Sequence, residues 1–404
     1  MRSEVFPDGV TGFQVERRAL DRLLLGCAEA AGASVHRDTT VREVSPSGVR
    51  YEGRGQPGRM SAPWVLDCSG RAGVIARRGL RVEQPGQVTL AIYAVWERAG
   101  GWGLPDETHT LVESYENGWA WAIPVSPAVR YVAVMLDPGL TKPPRGSRLG
   151  AIYQRELGKT AQFRKMLDGA TRVGPPRALG ASPYSARRFA GPDFLLVGDA
   201  GSFIDPLSSF GVKKALASAW LAAVVVHTCL RKPEMGPAAI EFFEGRERQA
   251  YASSLSLTAR FFGEAAKEHD HAFWKERSAA GPREGAAEEP NVDHLRMDPA
   301  VLAAFEALKG LSAISFRPSA GVRIEDKPAV RDHEIVLEPH LVSAWTPSGI
   351  RFLRGVDLVR LVDLAPRYDQ VPDLYEAYNR GGPPAGLPDF LGALSVLLAK
   401  GLLI

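Results

Sequence analysis

Residues 193–211 read Asp-Phe-Leu-Leu-Val-Gly-Asp-Ala-Gly-Ser-Phe-Ile-Asp-Pro-Leu-Ser-Ser-Phe-Gly, and a long apolar run follows at once. The start of this stretch reads as a short buried strand, 194–197, that ends on Gly198 and Asp199. An irregular loop carrying Pro206 and Gly211 comes next, then a helix expected over 212–230. A strand that ends in Gly-Asp and turns into a helix start brings free N–H groups and the positive end of a helix dipole to one place. Such a junction suits a polar, anionic ligand.

Length and composition narrow the choices around that junction. A chain of 404 residues can hold two or three domains with real cores. Its 49 basic and 46 acidic side chains leave a net charge of only +3. That balance gives no electrostatic basis for binding nucleic acid or an anionic membrane. Cys27, Cys68 and Cys229 are far apart, which argues against a disulfide framework and a structural metal site and fits a reducing cytoplasm. The first residues contain no apolar run resembling a signal peptide. The apolar run 215–230 is interrupted by Trp220 and His227 and is shorter than the ~20 residues of a spanning helix. A buried core helix is therefore expected there.

Along the chain, residues 17–31 carry Leu20, Leu23, Leu24, Cys27 and Ala31 at helical spacing, with Gly32 at the C-cap position. Short extended pieces follow around Val35, Val41, Val44 and 49–51, and 53–58 reads as a polar turn. A compact strand at 64–67 runs into Cys68-Ser-Gly-Arg-Ala-Gly73 and a helix expected at 74–78. Runs at 88–96, 110–115, 119–123 and 131–136 alternate in polarity between turn residues, as an antiparallel meander does. Residues 147–167 look helical, and 177–188 extended. Long helical patterns cover 212–230 and 238–277, then a charged linker 281–290 and a helix near 299–309. Two short strands, 334–337 and 340–344, and three apolar helical patterns close the chain.

Four constellations carry potential chemistry. Asp67, Ser69 and Gly70 form a strand end followed by a glycine turn that lets backbone approach a ligand, or simply a connection shaped by its glycines. Gly198 and Asp199 do the same, with Asp199 alternatively just a turn cap. Trp119-Ala-Trp-Ala-Ile-Pro124 puts both indoles on one strand face and Ala120 and Ala122 on the other. Those indoles are either core or an aromatic wall beside a ligand. Finally, residues Phe203 to Gly211 form a loop whose backbone Pro206 and Gly211 fix; its N–H groups can face an anion or a ring carbonyl, or it is an ordinary connector. Lys213 and Lys214 follow it in the first helical turn, where the dipole disfavours cations. Long stems reaching into water are the expected explanation.

In this order the motifs resemble those of the flavin-dependent halogenases and their monooxygenase relatives, which share the p-hydroxybenzoate hydroxylase-like flavoprotein fold. The resemblance covers about 13–277. Val15 to Asp21, with Arg17, is similar to the family's V-x-R-x-x-L-D helix start, and Asp67 to Arg71 to its D-x-S-G-R turn. Gly198-Asp199 is similar to the Gly-Asp that holds FAD, and residues 119–124 to the W-x-W-x-I-P of halogenases. Phe203, Pro206, Ser209 and Gly211 match the F-x-x-P-x-x-S-x-G flavin and halide loop. Four departures stand out: neither the family's G-x-G-x-x-G nor its lysine stands ahead of residue 13, Ser208 stands where tryptophan halogenases have glutamate, and lysines follow Gly211 where apolar residues or histidine are expected. A start placed too late, or a true truncation, is the expectation, and the catalytic residue is left unknown.

The resemblance implies an α/β (mixed α+β) fold: an FAD-binding domain in two parts (1–84 and 177–232) around an antiparallel substrate domain (85–176). A helical region (233–320) and a small helical or winged-helix-like module (321–404) follow. It further implies an FAD-dependent oxidoreductase acting on an electron-rich aromatic, small or bound to a peptide or carrier. The route would be a flavin C4a-hydroperoxide, with reduction by NAD(P)H or a flavin reductase. Arg17, Asp67, Ser69, Gly70, Gly198, Asp199, Pro206, Ser209, Gly211 and Val212 would hold the flavin, and Trp119, Trp121 and Pro124 would line the substrate side. The alternative is a flavin-free remnant that binds a peptide or carrier.

Overall fold

The strand at the head of the central stretch forms at Phe194–Leu196 and pairs in parallel with Val65–Asp67, with Leu196 opposite Asp67. Both strands are short, with Leu195, Leu196 and Asp67 buried and Val65, Leu66 and Phe194 half-buried. Each ends in a single 3₁₀ turn, Gly70–Ala72 and Gly198–Ala200, and the two turns pack against each other. The computed structural model describes residues 15–404 other than 46–47, 143–145, 147, 280, 282–293 and 312. The linker expected at 281–290 therefore lies almost wholly outside the described residues.

Contacts divide the chain into two units. Unit 1 holds the chain up to Ala222 together with residues 243–283. Its largest sheet has five strands, in the order Thr171–Gly180, Leu90–Glu97, Val129–Leu136, Gly118–Ser126, Leu111–Tyr115, all antiparallel. The expected meander is thus present, widened by a fifth strand at its edge. Period-2 alternation splits its side chains cleanly. Ile92, Ala94, Ala120, Ala122, Val132 and Val134 pack against Tyr153, Leu157, Phe163 and Met166 of the helices Leu149–Leu157 and Gln162–Met166. The other face presents Ala91, Tyr93, Trp119, Trp121, Ala133 and Met135 to Phe262, Phe273 and Trp274. Phe203 and Leu207, from the loop after Gly198, join that second cluster.

Several local expectations change. Residues 74–78 form hydrogen-bonded turns rather than a helix, because Gly73 at φ +55° breaks the backbone and Leu80 and Arg81 both bond back to Ala76 O. The polar turn at 53–58 shrinks to Arg54 and Gly55, both at positive φ, between strands Gly48–Gly53 and Gln56–Met60. The helix Arg17–Ala30 buries none of its residues among those described, and its Leu23 is 65% exposed. The long helix Gly211–Arg231 has a core face on one side only; Leu216 and Trp220 point outward, at 50% and 54% exposure. By length and composition this is the one described helix apolar enough to cross a membrane.

Unit 2 comprises residues 223–242 and 284–404. The two short strands expected at 334–344 are one continuous strand, Glu334–Val342, paired along its length with Arg323–Arg331. Asp332, at φ +53°, supplies the tight reversal between them. Helices Leu358–Leu364, Val371–Arg380 and Leu387–Ala399 then close over a core containing Leu358, Leu361, Leu374, Phe390, Leu394 and Leu397.

Candidate functional site

The parallel pair decides where the sequence motifs meet. Both glycine turns leave the same ends of adjacent strands, and both begin on a glycine at φ +61°. That conformation favours glycine over any residue with a Cβ. Around Gly70 a Cβ would meet nothing within 4 Å, so the space over this turn is open. At Gly198 a Cβ would stand 3.1 Å from Ala215 Cβ, so the long helix packs directly under that turn.

Asp67 serves its own turn. One carboxylate oxygen accepts from the Ser69 amide (3.0 Å) and hydroxyl (2.5 Å), and the other accepts from the Ile75 amide (2.8 Å). Ser69 Oγ in turn accepts from the Val74 amide at 3.0 Å. Asp67 and Ser69 thus shape the turn that Gly70 opens, a supporting role that their position in the motif could not show.

Asp199 is the carboxylate left facing the site. Its backbone oxygen accepts from Tyr184 Oη at 2.6 Å, and Tyr184 stacks on Phe203 at 5.9 Å between ring centres. Burial raises the Asp199 carboxyl above its ordinary value, against the pull of Lys214, Arg71 and Arg17. Arg17 is therefore close enough for its charge to reach Asp199, while its own side chain is exposed and bonds Asp21. Arg71 lies over the Phe203 ring at 4.7 Å and donates to Gly180 O, leaving its buried Nε without a partner.

The loop beyond is built around Asp205, Pro206 and Ser209. Asp205 caps the 3₁₀ turn Pro206–Ser208 by accepting from the Leu207 amide at 2.9 Å. Burial pushes the Asp205 carboxyl up to about 6, with the Leu207 hydrogen bond and Arg277 drawing it back. Ser208 turns its hydroxyl onto Asp205 O at 2.9 Å. Ser209 holds the left-handed conformation that ends the turn, φ +55°, and Gly211 and Val212 open the long helix.

On the sheet, Trp119 and Trp121 share the face toward Phe203 and Leu207. Both indole N–H groups are buried without an acceptor. Pro124 does not join them: alternation puts it with Ala120 and Ala122, at the point where the register against Val129–Leu136 slips. The cofactor-side residues and the two indoles thus converge, and Pro124 stands apart.

Sequence reading missed Lys214, Ser218 and Glu247. Lys214 was expected to reach into water, and it is buried, as are Ser218 and Glu247. Only Lys213 keeps the expected exposure, with its ammonium 5.4 Å from the Phe210 ring centre. The available signal was Lys214 and Ser218 four residues apart at the start of a largely apolar helix, which places both on one face.

Residues 9–296 match the family model for tryptophan halogenase. The chain belongs to the tryptophan halogenase family. A tryptophan 2-halogenase from Chondromyces crocatus is 30% identical over 279 residues, 66% of this chain and 53% of that enzyme. The chain thus spans about half the length of that family member. Among solved structures, the flavin-dependent halogenase CmlS superposes over 99% of this chain and 80% of its own, with a TM-score of 0.76 at 21% identity. The peptidyl tryptophan dihydroxylase QhpG is 26% identical and covers 96% of this chain and 80% of its own, with a TM-score of 0.66. The family match and these structures support the mixed α/β flavoprotein architecture expected from the motifs.

Proposed function

We propose that this chain is an FAD-dependent halogenase that acts on an electron-rich aromatic substrate. The observation that carries the reading is the convergence of two φ +61° glycine turns, from neighbouring parallel strands, with the paired indoles across the loop. The residues fit a flavin on structural grounds. Space is open above Gly70, and buried N–H donors on Arg71, Trp119 and Trp121 lack partners. Gly70, Gly198, Asp199 and Arg17 would hold the cofactor, with Asp67 and Ser69 fixing the turn. Pro206, Ser209, Gly211 and Val212 would face its ring, where N–H groups at a helix start favour negative charge.

When bound, the flavin supplies electron transfer and oxygen activation, and the protein supplies orientation and electrostatics. Phe203, Leu207 and the indoles, which share one apolar cluster, would exclude water from the face between cofactor and substrate. The reduced cofactor would come from NAD(P)H or a flavin reductase, and the setting would be the cytoplasm. A bulky aromatic, free or displayed on a peptide or carrier, fits the aromatic wall.

Hydroxylation is the second reading. It is favoured by Ser208, whose hydroxyl is committed to Asp205 O where tryptophan halogenases carry glutamate, and by the resemblance to a peptidyl tryptophan dihydroxylase. The test is to load the purified chain with FAD, desalt it and record the visible spectrum. Turnover follows with a flavin reductase, chloride or bromide, and aromatic and peptidyl substrates, and products are read by mass spectrometry. Retained flavin and a halogen isotope pattern support the proposal. Hydroxylated product alone moves the chain to the monooxygenase side, and a colourless protein overturns the flavin reading.

A further inference from the structure

We propose that Lys214 is a positioning residue of the flavin turn, acting with Ser218 to clamp the loop from Gly198 to Ser202 onto the long helix. Its flavin consequence rests on the function proposed above; the clamp itself does not. A lysine in the first turn of a helix opposes the dipole, and burying its ammonium removes it from water. Lys214 does both, so its three N–H donors must be satisfied inside the protein. They are: Nζ donates to Gly198 O at 3.0 Å, Ser202 O at 2.6 Å and Ser202 Oγ at 3.2 Å.

One turn further along the same helix face, Ser218 Oγ accepts from the Gly198 amide at 3.0 Å. Gly198 is therefore gripped through both its N–H and its C=O. Glu247, on the helix Gly236–Ala266, is buried near this pair, and burial raises its carboxyl against the pull of Ser218 and Lys214. Asp199 stands between the two clamped carbonyls, with Oδ1 3.9 Å from Nζ. A methionine would fill the same space and take the ammonium donor away from both loop carbonyls, leaving Gly198 O with the Gly201 amide at 3.2 Å.

The charges around this unit set its response to pH. Asp199 and Glu247 face Lys214, while Lys214, Arg71 and Arg17 face Asp199. Burial lowers the Lys214 ammonium and raises the Asp199 carboxyl, and each partner opposes the shift in the other. Without Lys214, burial of Asp199 is less opposed, so Asp199 takes up its proton at a higher pH.

The experiment combines flavin titration with amide exchange. In Lys214→Met, FAD affinity at neutral pH falls by about tenfold or more, the scale of losing hydrogen bonds to a charged group. The acid limb of affinity against pH moves to higher pH, and Lys214→Arg, which keeps the charge, moves it back. In an Asp199→Asn background the limb is absent, and Lys214→Met shifts nothing further. In flavin-free protein, peptides covering 198–202 exchange faster in Lys214→Met, while those covering strand Leu90–Glu97 do not change. Unchanged exchange overturns the clamp whether or not flavin binds, and unchanged affinity and acid limb overturn its role toward the cofactor. If the wild-type chain retains no FAD, the proposed function fails and the exchange result alone decides the clamp.

Discussion

Asp205 shows how a single buried carboxylate can govern the chain's response to pH. It is almost fully buried, accepts one backbone N–H, and its carboxyl is pushed up to about 6. An unfolded aspartate titrates near 4. Below that value both states hold the proton. Between there and about 6 the folded state keeps a proton that the unfolded chain has released, so stability drops as pH rises, and above 6 the loss is complete. The size is roughly 2–3 kcal/mol. Asp205→Asn, which keeps an acceptor for Leu207, is therefore expected to gain on wild type as the pH goes from 4 to 8. Urea unfolding across that range checks it, and a difference independent of pH would sink the idea. Lys214 makes the complementary point. Its position in the sequence suggested an exposed stem, since solvation is the usual fate of a lysine, and only the packed helix shows where its ammonium ends.

Elements were legible where periodicity was strong. The strand Gly118–Ser126 alternates indole and alanine, and the structure sends the two sets to opposite clusters. Trp119 is buried and Trp121 half-buried on the same face. Trp119→Ala is accordingly expected to cost about 3–5 kcal/mol of stability in chemical unfolding. Trp121→Ala should cost clearly less stability while altering which aromatics are turned over; equal losses would contradict the difference in burial. The helix expected at 74–78 was not legible, because local apolar spacing said nothing of Gly73 entering the left-handed region. The strand Glu334–Val342 is one element where two short strands were expected, and its partner pairs straight through Pro339.

At the scale of the whole chain, each unit has its own apolar core, and the C-terminal core is built from short helices over a hairpin. Leu394 is completely buried there. Leu394→Ala is expected to cost about 2–5 kcal/mol and to speed amide exchange in Val371–Arg380 and Leu387–Ala399. The five-stranded sheet of unit 1 should keep its own protection, and parallel loss in both units would show that they unfold as one.

The sequence by itself determined the class of chain: glycine turns after buried strands, an alternating aromatic strand, and a loop leading into a long helix, in an order that points to a flavoprotein family. These are local features, set by φ preference and side-chain period, and a linear chain displays them directly. The tertiary structure decided which groups face the site. Asp67 is spent on its own turn, Pro124 lies on the far face, Asp199 is the carboxylate that remains, and Lys214 supports it from below. Those assignments depend on which donors and acceptors find one another, across 12 to 20 residues for Lys214, Tyr184 and Ser218. Sequence spacing carries no record of that pairing; it is fixed only when the chain closes.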